Sequence, residues 1–413
     1  MSEQDTSMAG DAPAQLLPMP RWELVIIVAS LMSLNALAID IMLPALSSIS
    51  EHYSLARDND QQLVIFAYIA GFGAPQLVFG PISDRYGRKG LLRICLIAYA
   101  IAGIGCILTT SFMTLLLMRF VQGVFASGIR VIAVSVVRDL LAGRAMASIM
   151  SLVMTVFMVV PILAPTIGAG VLLVAPWQWT FALLSIAAML MLLWIQIRLP
   201  ETLPADQRQP LSPKQTGRAY WQVLRTRITF GYMCASGVIF GALFSFIAAS
   251  EQIFTDVFGK HETFALWFAG IAAALAVSNF LNSRIVERFG MRRISHSVLI
   301  MFILLAAINV VTLYTVGEKL WLFYPLFCLT FGCFGMLGAN FTALAMEPQG
   351  KIAGTASAAY GFASTTVSSF IGYLVASQFN GTIAPFMTGF IILGVSSLTI
   401  ILITERGRLF QTR

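Results

Sequence analysis

The stretch Gly80–Lys89 reads GPISDRYGRK and closes an apolar segment of the chain. A similar turn, Glu287–Arg293, reads ERFGMRR and comes about half the chain later. In both turns an acid, an arginine, an aromatic residue and a glycine follow in that order, with further basic residues after them. Each turn also follows the second apolar segment of its own half. The sequence therefore predicts two parallel repeats, an arrangement in which transporters place the substrate between the halves.

The segments around these turns are strongly apolar. Of 413 residues, 58% are hydrophobic and only 11% are charged, whereas a soluble domain usually carries about 25% charged residues. Stretches of about 20 apolar residues separated by short polar breaks are typical of membrane-spanning helices, since lipid offers no partner for an open strand edge. We predict an all-α membrane protein with twelve transmembrane helices at residues 23–44, 62–81, 91–110, 114–137, 146–173, 180–198, 228–249, 263–284, 295–315, 320–345, 353–377 and 383–403.

The longest polar break between these segments is residues 199–227. It is rich in Pro, Gln and charged residues, which is typical of a linker. It would join two pseudo-symmetric six-helix bundles, residues 23–198 and 228–403. The tails would be residues 1–22, which lack the basic region of a signal peptide, and residues 404–413.

The basic residues predict the orientation in the membrane. If both tails are cytoplasmic, only Arg57, Lys260 and Lys319 among the 26 basic residues face outward. Arg119 and Arg130 lie inside a helix, and the remaining basic residues lie on the inner side, as the positive-inside rule requires. This distribution accounts for the net charge of +7, so we expect no nucleic-acid partner.

Three motifs resemble those of the major facilitator superfamily. Gly80–Lys89 is similar to its loop between helices two and three, and RFVQG at 119–123 is similar to its helix-four motif. APTIGAG at 164–170 resembles the helix-five motif associated with antiporters, although Ala164 replaces the commoner glycine. The resemblance implies the two-bundle fold of that superfamily.

Finer features resemble the bicyclomycin/chloramphenicol-resistance (Bcr/CflA) subfamily of twelve-helix drug–proton antiporters. They are ID at 39–40 with LPAL at 43–46, the YI and GF pairs within 68–72, FSF at 244–246 and AGTAS at 353–357. DIMLP at 40–44 resembles the helix-one motif of the twelve-helix drug–proton antiporters in general. The resemblance implies a multi-pass protein of the bacterial inner membrane that exports small drugs in exchange for protons. A proton-coupled importer of a small metabolite and an exporter of an amino-acid-like metabolite remain alternatives.

Other classes of function lack support. The sequence contains no intramembrane cluster of His, Cys or paired carboxylates that would suggest an enzyme. It also contains no Gly-rich nucleotide-binding motif that would suggest transport driven by ATP. The five cysteines fall inside predicted helices, where a metal site or a disulfide framework is not expected. We expect no cofactor, no metal and no catalytic residue, with drugs, protons and membrane lipid as partners of a functional monomer.

Asp40 is the strongest candidate for a functional residue, because it is the only acid well inside a predicted span. A carboxylate in the membrane is costly and usually marks an ion path. In a low dielectric such a group can exchange a proton near the working pH. A structural acid held by backbone or by an arginine is the alternative.

Two arginines lie on the predicted fourth helix. Arg119 and Arg130 are eleven residues apart, about three turns or 16 Å along one face. That face would border the interior or a water-filled cavity, unless the side chains extend to the membrane surface instead. The charge of Arg119 would act on the ionisation of a nearby acid, or its guanidinium would bind water and backbone oxygens. We predict Asp40 and Arg119 as the proton-coupling residues.

The loop around Asp84 would form a gate on the inner side. The resemblance implies that its acid lies near the start of helix eleven, at Gly354 and Thr355, and its arginine near an acid ending helix four, here Asp139. Membrane anchoring alone would explain the basic residues but not the acid and the glycine. The predicted gate residues are Asp84, Arg85, Gly87, Arg88, Lys89 and Asp139.

The substrate site is the least determined part of this interpretation. Glu251 could be an accessory proton or cation site, or a hydrated helix end, and asparagines in membrane helices also join helices to each other. Single aromatic side chains pack in cores by default. The predicted substrate-binding residues are Asp40, Tyr68, Arg130, Phe244, Glu251, Asn279, Asn340 and Tyr360.

Overall fold

The computed structural model describes residues 19–57, 59–141, 143–208, 210 and 212–411. Within these ranges the chain is helical and contains no strand. Ten helical segments are long and apolar enough to cross a membrane, and a bent pair of helices makes an eleventh.

Eight helices build the first half. They are α1 (Arg21–Asp40), α2 (Leu46–Tyr53), α3 (Leu63–Gly73), α4 (Gln76–Tyr86), α5 (Arg88–Leu108), α6 (Phe112–Leu140), α7 (Gly143–Val174) and α8 (Gln178–Arg198).

A short helix and six long ones follow. They are α9 (Pro213–Arg225), α10 (Arg227–Gln252), α11 (Phe264–Phe289), α12 (Met291–Val316), α13 (Leu320–Met346), α14 (Ala353–Ala376) and α15 (Ala384–Thr404).

The first two predicted spans are each built from two helices. A 3₁₀ turn at Leu43–Ala45 joins α1 to α2, so the first span continues to Tyr53 rather than ending at residue 44. The second span bends by 46° between α3 and α4, next to Pro75, and extends beyond residue 81 to Tyr86. Proline lacks the backbone N–H that a regular helix uses, so both breaks occur beside a proline.

The helix α14 supplies the twelfth span. Ser, Thr, Gly and Ala make up most of it, and it is not among the ten helical segments that are apolar enough to cross a membrane by composition. It packs against α10 and also against α3 and α4 of the first half. Its polar side chains therefore face protein more than lipid, and the whole forms a twelve-helix membrane protein of two six-helix halves.

The helix α9 lies within the predicted linker 199–227, where composition alone suggested no regular structure. The Ser212 hydroxyl caps it by accepting a hydrogen bond from the backbone N–H of Gln215 at 3.4 Å. Tyr220 donates to the backbone oxygen of Leu77 in α4 at 2.8 Å, and burial raises the pKa of Tyr220 to about 12. The phenol therefore remains a donor, and it ties the linker to the first half.

Glycines allow two pairs of helices to approach each other closely. A Cβ atom at Gly123 of α6 would overlap the backbone oxygen of Tyr68 in α3, and one at Gly71 of α3 would overlap the oxygen of Phe120. A Cβ atom at Gly168 of α7 would overlap the oxygen of Ile41, directly after α1. These contacts fix α3 and α7 against the parts of the chain that carry the candidate site.

The glycines of the helix-five motif give a matched test of this packing. Gly168→Ala should destabilise the protein by about 1–3 kcal/mol, because overpacking forces the backbone apart. Gly170→Ala, two residues away in the same helix, should have little effect, since nothing lies within 4 Å of its Cβ position. Thermal unfolding of the two purified variants in detergent measures the difference. Equal unfolding temperatures would contradict the close approach of α7 and α1.

Candidate functional site

Asp40 is the last residue of α1, immediately before the helix breaks. Only 4% of its surface is exposed. Among the described residues it has no ion-pair partner and no side-chain hydrogen bond. The structure thus gives Asp40 neither an arginine nor a backbone donor, the two partners that a structural acid would need.

Arg119 is fully buried, and its guanidinium points to neutral oxygen atoms. Its Nε donates to the oxygen of Val64 at 3.2 Å, and its other nitrogens donate to the oxygen of Ala38 at 3.0 Å and to Gln122 at 2.7 Å. No acid pairs with it in the part of the chain that the structure describes. Arg119 therefore joins α6 to α1 and α3 through backbone oxygens, one of them two residues before Asp40.

Two aromatic rings of α3 lie under the arginines of α6. The Arg119 guanidinium is 4.4 Å from the ring centroid of Tyr68, and that of Arg130 is 5.7 Å from the ring of Phe72. Both arginines therefore face α3. The Tyr68 hydroxyl donates to Asn35 of α1 at 3.1 Å, so Tyr68, Arg119 and the end of α1 form one cluster. Asn35 is a member that the sequence did not single out.

Arg130 differs from Arg119 in its surroundings. It is only partly buried, and it makes no ion pair or hydrogen bond among the described residues. The Arg130 guanidinium thus has only the Phe72 ring beside it among the contacts of the described residues, while Arg119 donates to two backbone oxygens and to Gln122.

Glu251 joins the two halves at the predicted outer end. Only 1% of it is exposed, so it is not a hydrated helix end. One carboxylate oxygen accepts a hydrogen bond from Ser47 of α2 at 2.6 Å, and the other is buried without a partner among the described residues. Beside it Gln62 donates to Gln252 at 2.6 Å, which also connects the halves. The sequence held no signal for these partners, because they come from distant segments.

The remaining predicted substrate residues lie in the second half, and three of them join helices of that half. Asn340 donates to Asn282 at 2.7 Å, which connects α13 to α11. The Tyr360 hydroxyl is 2.7 Å from Ser236, and Phe244 packs beside Gly372 of α14. These contacts join helices within the bundle.

Asn279 is the exception among these residues. Its amide nitrogen lies 3.7 Å from the sulfur of Met158 in α7. It therefore lies where α11 meets the first half.

A charged cluster lies at the predicted inner end of the first half. Arg88 is 2% exposed and lies 2.7 Å from Asp84 and 2.8 Å from Asp139. It also donates to Ser83. Arg138 lies 3.9 Å from Asp84, and 3.2 Å from the Cβ position of Gly354. Asp84 is thus paired with two arginines, and Arg138 stands at the start of α14.

Gly87 occupies the turn between α4 and α5 with φ of +93°, and Gly290 does the same in the second half with φ of +80°. A side chain at Gly87 would meet the carboxylate of Glu201. That carboxylate accepts hydrogen bonds from the backbone N–H groups of Arg88 at 2.8 Å and Lys89 at 3.2 Å. The Lys89 ammonium donates to the backbone oxygen of Gln196 at 3.1 Å.

Arg85 is exposed and has no partner among the described residues. It is thus set apart from Arg88, although both belong to the predicted gate.

The second half carries a cluster that the sequence reasoning missed. Arg292 lies 2.9 Å from Glu347 and 3.0 Å from Glu405. Tyr232 donates to Glu405 at 2.9 Å and lies 3.0 Å from His296. The repeated basic turn could have pointed to Arg292, but its acids lie at the ends of two other helices.

An apolar groove of about 620 Å³ lies between α1, α7 and α8. Ser33, Leu163 and Trp194 are among the residues that line it, and none of the predicted substrate residues does. In the described ranges no group of three His, Cys, Asp or Glu residues could hold a metal ion.

Comparison with known proteins agrees with this architecture. Residues 28–373 match the family described as the Major Facilitator Superfamily. An uncharacterized MFS-type transporter of Bacillus subtilis is 32% identical, over 86% of this chain and 89% of the relative. A bicyclomycin resistance protein homolog of Haemophilus influenzae is 28% identical, over 84% and 87%. A multidrug transporter of Edwardsiella piscicida is 30% identical, over 72% and 73%.

A solved structure shows the same fold. The crystal structure of a D-xylose-proton symporter has a TM-score of 0.76, covers 94% of this chain and 98% of its own, and is 13% identical.

Arg88 and Arg85 allow a matched test of the inner cluster. Arg88→Gln should destabilise the protein by about 3 kcal/mol, because it leaves Asp139 without its cation. Arg85→Gln removes an exposed charge three residues earlier and should change stability by less than about 0.5 kcal/mol. Thermal unfolding in detergent compares them. A loss that is equal in both variants would show that the cluster around Arg88 does not stabilise this end.

Proposed function

Because the chain belongs to the major facilitator superfamily, we propose that it is a proton-coupled drug exporter. In this proposal small amphipathic compounds and protons compete for a central site, and the two halves rock about that site to expose it alternately to each side. The names of two relatives, a bicyclomycin resistance protein homolog and a multidrug transporter, support drugs as the substrate class.

The state of Asp40 is the observation on which the proposal rests. It is a buried carboxyl group without a cation or hydrogen-bond partner among the described residues. An ionised carboxylate in such a place is costly, whereas a protonated one is tolerated. Proton uptake and release at Asp40 would therefore change the energy of the closed site, which is what coupling requires.

The packing around Asp40 supports a role in coupling. The chain breaks its helix one residue later, and Gly168 of the helix-five motif packs on the oxygen of Ile41. Arg119 holds the oxygen of Ala38. A change in charge at Asp40 would thus act on the contact of α1 with α6 and α7. In this role Arg119 is a positioning residue.

The cluster around Arg88 is proposed as the inner gate. It ties the ends of α4, α5 and α6 together, and Arg138 connects it to the start of α14 in the other half. Ion pairs at a partly exposed end can form and break as the halves rock. Asp84, Arg85, Gly87, Arg88, Lys89 and Asp139 are assigned to it, and Gly87 supplies the left-handed turn.

The basic residues support the proposed orientation, with both termini in the cytoplasm of a bacterial cell and the chain in its inner membrane. We propose that a single chain is the functional unit, since one chain contains both halves around the site.

The charges of the site limit the substrates that it favours. Arg119 keeps its positive charge, because its nitrogens donate only to neutral oxygens. Asp40, Arg119 and Arg130 therefore sum to one positive charge when Asp40 is ionised and to two when it is protonated. An unpaired ion in low dielectric is expensive, so neutral and zwitterionic compounds should be favoured over dications.

Asp40→Asn tests the coupling. In everted vesicles the variant should no longer accumulate drug against a gradient when a pH gradient is applied, because Asn cannot exchange a proton. The control is Glu23→Gln, which removes an acid of the same helix that is paired with Arg198 at 2.6 Å; it should keep coupled transport. If the Asn variant still builds a drug gradient that an uncoupler collapses, Asp40 is not the coupling acid.

The substrate charge is tested in a pump-deficient strain that expresses the chain. A neutral phenicol should be exported strongly and the dication methyl viologen should not. Arg130→Gln should reduce the difference in resistance between the two compounds, because it removes a positive charge that repels the dication. Growth inhibition by each compound measures the outcome. Strong resistance to methyl viologen with none to phenicols would contradict the argument from charge.

A further inference from the structure

The helix α9 presents a basic face that nothing in the proposed transport cycle uses. Lys214, Arg218 and Arg225 are exposed and lie within about 40° of one another around the helix axis at 3.6 residues per turn. The helix contains no acid. None of the three pairs with an acid in the part of the chain that the structure describes.

Large apolar side chains border this basic face. Trp221 is 59% exposed and Leu224 is 43% exposed, and the guanidinium of Arg225 lies 5.3 Å from the Trp221 ring centroid. The opposite side of the helix is in contact with protein through the buried Val223 and through the hydrogen bond of Tyr220. Basic residues beside an exposed tryptophan and leucine are typical of helices that lie in a membrane interface.

The position of α9 in the chain also favours the membrane surface. Only Thr226 separates it from α10, which begins at Arg227 and crosses the membrane. The helix packs against α14 and α10 of the second half, while Tyr220 holds α4 of the first. It therefore lies beside the start of α10, and Tyr220 reaches α4 nine residues before that helix ends.

We propose that α9 is a binding surface for anionic phospholipid headgroups at the inner face of the membrane. Lys214, Arg218 and Arg225 would pair with the lipid phosphates, and Trp221 and Leu224 would enter the boundary between headgroups and acyl chains. The occupant is anionic because each lysine or arginine near such a surface gains from its negative potential. This inference does not depend on what the protein transports.

Fluorescence quenching by brominated lipid tests the proposal. The full chain is reconstituted in vesicles of phosphatidylcholine with phosphatidylglycerol, and bromine is carried by one lipid or the other at the same mole fraction. Subtracting the signal of Trp221→Phe isolates Trp221 from the other six tryptophans. We expect quenching of Trp221 by brominated phosphatidylglycerol to exceed that by brominated phosphatidylcholine by about two-fold or more. This preference for phosphatidylglycerol should fall in high salt.

A charge-neutral variant gives the matched comparison. K214Q/R218Q/R225Q should abolish the preference for phosphatidylglycerol while Trp221 remains quenched. R57Q/K260Q/K319Q removes the same number of charges from the other end of the protein and should leave the preference intact.

Two outcomes would overturn the proposal. Equal quenching by both lipids in the native chain would show an interfacial helix without a preference for anionic headgroups. Absence of Trp221 quenching by either lipid would show that the face points to water, as expected if an acidic protein were its partner.

Discussion

Lipid provides no hydrogen-bond partner, and this constraint governs the interior of the molecule. Buried polar groups bond within their own helix or to another helix, as Ser185 does to both Phe181 and Ala100, and the bonds between helices hold the bundle together. Arg119 is the strongest case, because its nitrogens donate to oxygens of α1 and α3 as well as to Gln122 of its own helix. The same need brings Asn340 to Asn282 and Ser47 to Glu251. Polar contacts therefore act together with the close contacts at glycines in arranging the helices.

Asp40 departs from that rule, and this is why it stands out as a site. A fully paired acid would stabilise one arrangement of the helices and resist change. An acid that is buried and unpaired among the described residues can be neutral in one state and charged in another, with a large difference in energy between them. The helix break directly after it means that the backbone around the carboxyl group is not held in one continuous helix.

Much of the fold could be predicted from the sequence, because the lipid demands long apolar helices and the repeated turns mark the two halves. Gly87 and Gly290 have the same left-handed backbone, as their shared position in the turns suggested. The partners of Glu251 and Arg292 could not be predicted, since they depend on how distant helices pack. The helix α9 was missed because its Pro, Gln and charged residues look like a linker, although their spacing places three basic residues on one face.

The helix α14 has a consequence for how the protein is assembled during synthesis. Its serine, threonine and glycine residues make it a weak candidate for entry into the bilayer on its own, because insertion depends on the apolarity of each segment. Its buried face fits α10 and α3, which emerge from the ribosome earlier. Stable insertion of α14 therefore requires neighbours that are already in place, and the bundle gains this span by association rather than by partition into lipid alone.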